Sequence, residues 1–583
     1  FEHFVFFLAF GKAKNAHMGR GSPIRSNVQK NNVFYVQARQ FIVFCTSDLN
    51  SYQEKNMDSG GAMELIKQKV HMNHCNSRKE VTTTIDTDYN VPDIKPDARS
   101  IMQEKGNVVI EEMHLRDGEL EIRGALHFTV LYAGEEDVPV CDLAGNTPFY
   151  ETVKMDCEGV REEEISIQAS IEDFRADLIN SRKLGIRAVI VFSVAAETIY
   201  DGEGAVDVVA EDNVYTKKKT MDITKLLLTK KDTLRVRDEC RLPGTKDTIG
   251  RILYEDVSLN EIETRCEEDK MIVTGEVDIF VLYLNAEEPA GLGYHECQVP
   301  VQGEIPCGGC DETSVLQVKS HIHSYEMEVK PDEDGEDRIL DVEVVIAFAI
   351  SAYGQEQMEV LTDFYSTSKR CTPVYEMSYF ENLLLKNKNK SRVDGKILLD
   401  ESRQPLQIWK VNGEARVDEK RVGKDSVVVE GILDINILYQ SSDAQAPLAA
   451  AKGMLPFEQE VQIPGVSKDS DIRLDVSVEQ ISGTLLGENE ADIKAVLVLD
   501  VLAFENHEEP IISGVEEQEM DMAARAKEPG MVGYVVKPGE QLWDIAKQFY
   551  TTSNAIAETN QLEEETLTPG QILLIVKEME QAG

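Results

Sequence analysis

The chain has 583 residues, with 60 Lys/Arg against 105 Asp/Glu, a formal net charge of −45 and a sequence pI near 4.6. That length exceeds what one hydrophobic core organises and indicates several domains. The charge repels phosphate backbones and anionic lipid surfaces, which argues against nucleic-acid or membrane-surface binding as the main activity.

Residues 1–62 differ from the rest, with seven Lys/Arg against four Asp/Glu and eight of the 19 Phe. The apolar run 4–10 is too short to span a bilayer. It also lacks the preceding basic segment of a secretory signal. This stretch is expected to be a non-native or disordered N-terminal extension, with the natural start at Met57 or Met63.

From Met63 onward one module recurs. Gly124-Ala-Leu-His-Phe-Thr-Val-Leu-Tyr132 returns as Gly275–Tyr283 and as Gly431–Tyr439, at separations of 151 and 156 residues. In each copy one alternating face is apolar: Leu126/Phe128/Val130/Tyr132, Val277/Ile279/Val281/Tyr283 and Leu433/Ile435/Ile437/Tyr439. Period-two alternation with a mixed opposite face is the pattern of a strand lying on a core. Recurrence at near-constant spacing indicates repeated domains.

Each repeat opens on a leucine run, at Leu65, Leu226 and Leu383. A strand precedes the anchor, at Val108–Met113, Val257–Ile262 and Gly413–Val417. A closing strand follows at Ile186–Val194, Val342–Ile350 and Ile493–Val501. Val189, Val191, Val345 and Val496 predict that the closing strand is buried on both faces. Short strands with turn-rich connections predict a mainly β chain of three tandem β-sandwich-like domains, at 63–220, 221–376 and 377–525.

After Pro529 the character changes. Tyr534–Lys537 reads as a short strand, and Leu542, Ile545, Ala546 and Phe549 mark an amphipathic helix. Ser553 suits the cap of a second helix that carries Ile556 and ends at Asn560. Pro569-Gly570 then turns into the strand Gln571–Val576. The expectation is a small α+β (βααβ) domain over 530–579.

The ten cysteines do not recur with the repeats, so reduced thiols are expected rather than a disulfide framework. Cys307-Gly-Gly-Cys310 is the one CxxC. Without a second ligand pair it reads as a loop with two free thiols. His71, His74, His321 and His323 read as solvated side chains. Asp332–Asp337 reads as an acidic hairpin turn, because it lacks the terminal Glu of a calcium loop. No GxSxG, HExxH or P-loop pattern appears, so no catalytic residue, metal site or cofactor is assigned and the chain reads as non-catalytic.

The segment Tyr534-Val-Val-Lys-Pro-Gly-Glu-Gln-Leu-Trp-Asp-Ile-Ala546, with Asn560 and Leu567-Thr-Pro-Gly-Gln-Ile-Leu573, closely resembles a LysM domain. That resemblance implies a groove for N-acetylglucosamine-containing glycans between two loops. Carried over, the groove residues are Gly539, Glu540, Gln541, Leu542, Thr568, Pro569 and Gly570, with Trp543 beside them. Glu540-Gln541 stands where the family usually has Asp-Thr or Asp-Ser, and a side chain as long as Gln541 intrudes on a sugar site. The Gly-x7-Tyr anchors and Val/Ile-rich closing strands resemble SPOCS domains, and the whole arrangement resembles the SipL-like family of spore coat and envelope proteins. The resemblance implies a scaffold in the mother-cell cytoplasm, at the forespore surface. It would bind a SpoIVA-like coat-basement ATPase, mainly through LysM. The alternative is a peptidoglycan-binding cell-wall protein.

Overall fold

In the computed structural model, the described residues are 63–135, 140–155, 160–210, 213–287, 291–443, 446–521, 527, 529–562 and 566–576. The extension expected over residues 1–62 lies outside them.

The alternating segments form strands, many far longer than their core-facing patterns. In the first repeat these are β1 (Glu64–Asn90), β2 (Ala98–Arg116), β3 (Glu119–Gly134), β4 (Cys141–Lys154), β5 (Ile165–Asn180) and β6 (Lys183–Val209). The second has β7 (Val214–Arg241), β8 (Ile249–Glu267), β9 (Lys270–Asn285), β10 (Leu292–Pro306), β11 (Val315–Pro331) and β12 (Asp337–Ser366). The third has β13 (Lys369–Leu398), β14 (Pro405–Val422), β15 (Ser426–Ser441), β16 (Leu448–Gln462), β17 (Asp471–Leu486) and β18 (Glu490–Glu519).

Each repeat makes two three-stranded antiparallel sheets. One has the order β1-β6-β5, β7-β12-β11 or β13-β18-β17; the other β2-β3-β4, β8-β9-β10 or β14-β15-β16. Their inner faces share one core per repeat, as in a β-sandwich. Tyr132, Tyr283 and Tyr439 occupy the same place, on the middle strand of the second sheet. Tyr132 OH donates to the Pro96 carbonyl (3.0 Å) and Tyr283 OH to that of Asp247 (3.1 Å). The leading glycine of each anchor faces a bulge in the neighbouring strand. A Cβ on Gly124 or Gly431 would lie 2.2 Å from the Val109 or Arg416 carbonyl oxygen.

Three expectations are corrected here. The closing strand is not buried on both faces: Ile186, Ala188, Ile190 and Phe192 are buried, but Val189 and Val191 are only half-buried. The repeats also do not divide at 220/221 and 376/377, because those positions fall inside β7 and β13. Instead β6 ends at Val209 and β7 begins at Val214, and β12 ends at Ser366 and β13 begins at Lys369. By register the counterpart of Leu226 and Leu383 is position 75, not Leu65, so ten strand residues before the first core were misaligned.

Those extra residues build a second layer of structure. β1/β6, β7/β12 and β13/β18 run past their sandwiches as two-stranded ribbons. Each ribbon carries one bulge at residue 76, 227 or 384 and another at 206, 362 or 513. Bulges increase twist, and the ribbons pack on one another through Val70, Met72, Met221, Ile223, Met358, Val360, Phe380 and Ile511.

The second sheets meet at a shared centre. Leu131, Leu282 and Leu438, each one residue before the anchor tyrosine, point away from their own cores into a common apolar cluster. Met102, Leu253 and Trp409, one equivalent set, join them. Beside this cluster three further equivalents touch. The Asp256 carboxylate, 7% exposed, pairs with Lys105 Nζ and accepts from Asn412 Nδ2 (2.8 Å). Burial pushes the Asp256 carboxyl up, but the Lys105 ammonium and its hydrogen bond outweigh this and hold it below the usual carboxylate range.

A depressed folded pKa stabilises above the unfolded value, and that contribution is lost as pH falls through the folded one. The contribution should therefore disappear below about pH 4. Asp256→Asn should cost about 2–4 kcal/mol at neutral pH by leaving Lys105 without its counter-charge. It should also flatten the acid limb of stability in urea melts run at a series of pH values.

Candidate functional site

The last domain is built from β19 (Met531–Val535), α1 (Leu542–Phe549), α2 (Ser553–Asn560) and β20 (Ile572–Val576), with β19 and β20 antiparallel. Val536, Leu542, Ile545, Ala546, Ile556, Leu573 and Ile575 form its core. The second helix is capped by Thr552 rather than Ser553, its Oγ1 accepting from Ala555 N (3.0 Å). Gln561, not Asn560, takes the left-handed position at its end. Asn560 is committed elsewhere: its amide bonds both the carbonyl (2.8 Å) and the N–H (2.7 Å) of Leu574 and holds β20.

The two expected groove loops lie side by side. Val536 N donates to Gln571 O and Gly570 N to Val536 O, both at 2.9 Å. Gly539 and Gly570 both have φ of +87°, a left-handed backbone that favours glycine, with open space where a Cβ would sit. Gly539, Thr568, Pro569 and Gly570 are exposed.

The side chains that sequence assigned to the groove go elsewhere. Glu540 is held within the domain, accepting from Tyr534 OH (2.8 Å) and Lys537 N (2.9 Å). These hydrogen bonds, that from the Lys537 amide foremost, keep its carboxyl below the usual range. Leu542 is in the core.

Gln541 and Trp543 turn toward the ribbon of the second repeat. Gln541 Oε1 accepts from Lys217 Nζ (2.7 Å). Trp543 Nε1 donates to Asp363 Oδ2 (2.8 Å), and its ring meets Tyr365 edge-on at 4.9 Å. Lys547 Nζ donates to Asp363 Oδ1 (2.5 Å), and Tyr365 OH donates to Thr551 O (2.9 Å). Tyr215 stacks behind Tyr365 at 5.4 Å. Burial pushes the Tyr365 hydroxyl up, so it stays a neutral donor.

Lys217, Asp363, Tyr365 and Tyr215 were missed by sequence reasoning. By register, Tyr215, Asp363 and Tyr365 answer to Glu64, Asp207 and Val209 in the first repeat, and to Thr372, Gly514 and Glu516 in the third. Two tyrosines at the strand ends of one repeat alone were the available signal. The opposite, outer face of the β19–β20 sheet is apolar and open: Met531, Val535, Ile572 and Leu574 are 64%, 56%, 73% and 43% exposed. No helix among the described residues is long and apolar enough to cross a membrane.

Asp363→Ala removes two hydrogen bonds from this contact and should weaken it by about 1–3 kcal/mol. Trp543 emission should shift to the red and become accessible to acrylamide, while Trp409, 7% exposed, should not respond.

A family profile described as SipL, SPOCS domain, matches residues 97–179, 248–330 and 404–486, and a LysM domain profile matches 534–576. No curated relative and no solved structure matches significantly. The SPOCS matches begin at β2, β8 and β14 and omit all six long ribbon strands, β1, β6, β7, β12, β13 and β18. Both domain types are non-catalytic binding domains, in keeping with a sporulation-related protein that carries a peptidoglycan-binding type of module. The chain belongs with the SipL-like proteins, having three SPOCS domains in tandem followed by a C-terminal LysM domain.

Proposed function

We propose that this chain is a non-catalytic scaffold in endospore coat and envelope assembly. It acts in the mother-cell cytoplasm, at the forespore surface, and binds a SpoIVA-like coat-basement protein mainly through its LysM domain. One observation carries this reading: Gln541 and Trp543 are engaged by Lys217, Asp363 and Tyr365, while the outer sheet face with Met531, Val535, Ile572 and Leu574 stays open. An exposed apolar patch of this kind fits a protein surface better than a sugar. The three SPOCS domains serve as the rigid body that carries it.

A second reading is N-acetylglucosamine recognition at Gly539, Glu540, Gln541, Leu542, Trp543, Thr568, Pro569 and Gly570. It is favoured by the paired, exposed Gly539 and Gly570 loops, both left-handed with open space at the Cβ position.

Calorimetry on the full chain with each ligand separates the two. A SpoIVA-like partner should bind, and Val535→Ser with Ile572→Ser should weaken it by about 2 kcal/mol, roughly 30-fold in Kd. Chitin oligomers should bind weakly or not at all. Micromolar chitin binding with no protein partner retained overturns the scaffold reading in favour of the second.

A further inference from the structure

The CxxC of the second SPOCS domain is not the isolated loop that its sequence implies. Cys266, at the end of β8, reaches the same spot, and the sulfurs of Cys266, Cys307 and Cys310 all lie within 4.8 Å of one another. Cys307 and Cys310 are 3.0 Å apart, Sγ to Sγ. All three are buried, at 9%, 0% and 3% exposure.

Free cysteine also serves as a small apolar filler, and the sister domains test that account. Cys266 pairs with Met271 beside the β8–β9 turn; the same place is Leu115, opposite Leu120, in the first domain and Val422, opposite Val427, in the third. Cys307 N donates to Asp269 O, as Met155 N does to Gly118 O and Ile463 N to Asp425 O. Cys310 N donates to Cys307 O at 3.2 Å, as Val466 N does to Ile463 O at 3.2 Å. In the third domain this site is thus Val422, Ile463 and Val466, an ordinary apolar cluster. The second domain replaces all three with cysteine at once. Packing gives no reason for three joint replacements by a smaller residue; a common ligand does.

We infer that Cys266, Cys307 and Cys310 form a three-thiolate site for a soft divalent cation of the zinc class. Zinc takes thiolates at about 2.3 Å in a tetrahedron, which puts ligand sulfurs about 3.8 Å apart. The observed separations, 3.0 Å between Cys307 and Cys310 and none beyond 4.8 Å, bracket that spacing.

The backbone is already shaped for it. Gly309 has φ of +81° and its N–H donates to Asp269 Oδ1 (2.8 Å). Gly465 in the third domain has the same φ, and its N–H donates to Asp425 Oδ1 (3.0 Å). The turn therefore forms without metal. Gly308, Gly309 and Asp311 are exposed and give the ion a route in. Binding releases three thiol protons and leaves a net charge of −1 on the site; Lys230, whose ammonium donates to the Pro306 carbonyl beside Cys307, lies close enough to offset it. Solvent or an exogenous ligand completes the tetrahedron.

The test uses the full chain, purified under reducing conditions without chelator. It should retain one zinc per chain after gel filtration and show thiolate-to-cobalt charge-transfer absorption when loaded with Co²⁺. The triple variant Cys266→Val, Cys307→Ile, Cys310→Val copies the third domain, so it should fold and melt as the parent does while losing both the zinc and the cobalt band. Three results overturn the proposal: a parent chain that neither retains zinc nor gives the cobalt band, a triple variant with unchanged zinc content, or a Cys307–Cys310 disulfide in the chain as isolated.

Discussion

Where three copies of one domain meet around a centre, each copy brings the same position to the same point. If that position is charged and buried, three identical residues cannot coexist there, because like charges without partners are expensive to bury. At this point the chain holds Lys105, Asp256 and Asn412: one donor cation, one acceptor anion and one neutral amide that completes the acceptor's second oxygen. The next position is graded in size, with Met102, Leu253 and Trp409 sharing one cluster. Each of these side chains removes apolar area worth about 1.5–3 kcal/mol from water. Neither solution is open to three identical chains. Fusing the repeats in one polypeptide lets them diverge at the very positions that touch, and that divergence gives each domain its own place.

The closed centre has a consequence for the ribbons. A two-stranded ribbon on its own is marginal in water, so strands of 27 to 30 residues need support beyond their sandwiches. Meeting at the centre brings the three ribbons alongside one another, where their apolar faces cover each other. The bulges lie at equivalent positions in all three, so the twist they add is matched and the ribbons can coil together. The far end of the second ribbon then offers a surface that no single sandwich has, and the LysM domain sits on it through Asp363 and Tyr365.

What could be read from sequence follows from what the repeats share. The Gly-x7-Tyr strands were legible because one face is uniformly apolar in all three copies, and so were the mainly β class and the βααβ tail. The other face of those same strands is mixed in sequence. His127 and Thr129 gave no hint that Leu131, Leu282 and Leu438 enter a second core, because one apolar position per strand carries no periodicity. The ribbon strands were misaligned for a related reason. Their residues are constrained by neighbours in other repeats rather than by their own domain, so no common pattern survives. The sequence pattern assigns Gln541 and Trp543 to the LysM groove. That they face the protein's own second repeat depends on contacts more than 170 residues apart, and local sequence does not encode them.

The cysteines make the same point about divergence on a shared backbone. Reduced thiols were expected throughout, yet Cys240 of β7 and Cys297 of β10 form a disulfide across the two sheets of the second sandwich, with Cα atoms 6.3 Å apart. By register the sister positions are Tyr89 with Gly145 and Ile397 with Gly453. There a large side chain lies over a glycine, so closely that a Cβ would come within 2.7 Å of the Tyr89 ring or 2.5 Å of Ile397. Large over none, or sulfur to sulfur, are two ways to fill one gap between sheets. The backbone that sets the gap is common to all three domains, and the residues that fill it are not. The second domain departs from its sisters at this link, at the three-cysteine cluster and at the ribbon end that receives LysM. The other two copies show that the fold requires none of these three sets of residues. In this copy each set joins two parts: sheet to sheet, the proposed thiolates to their ion, and the body to the LysM domain.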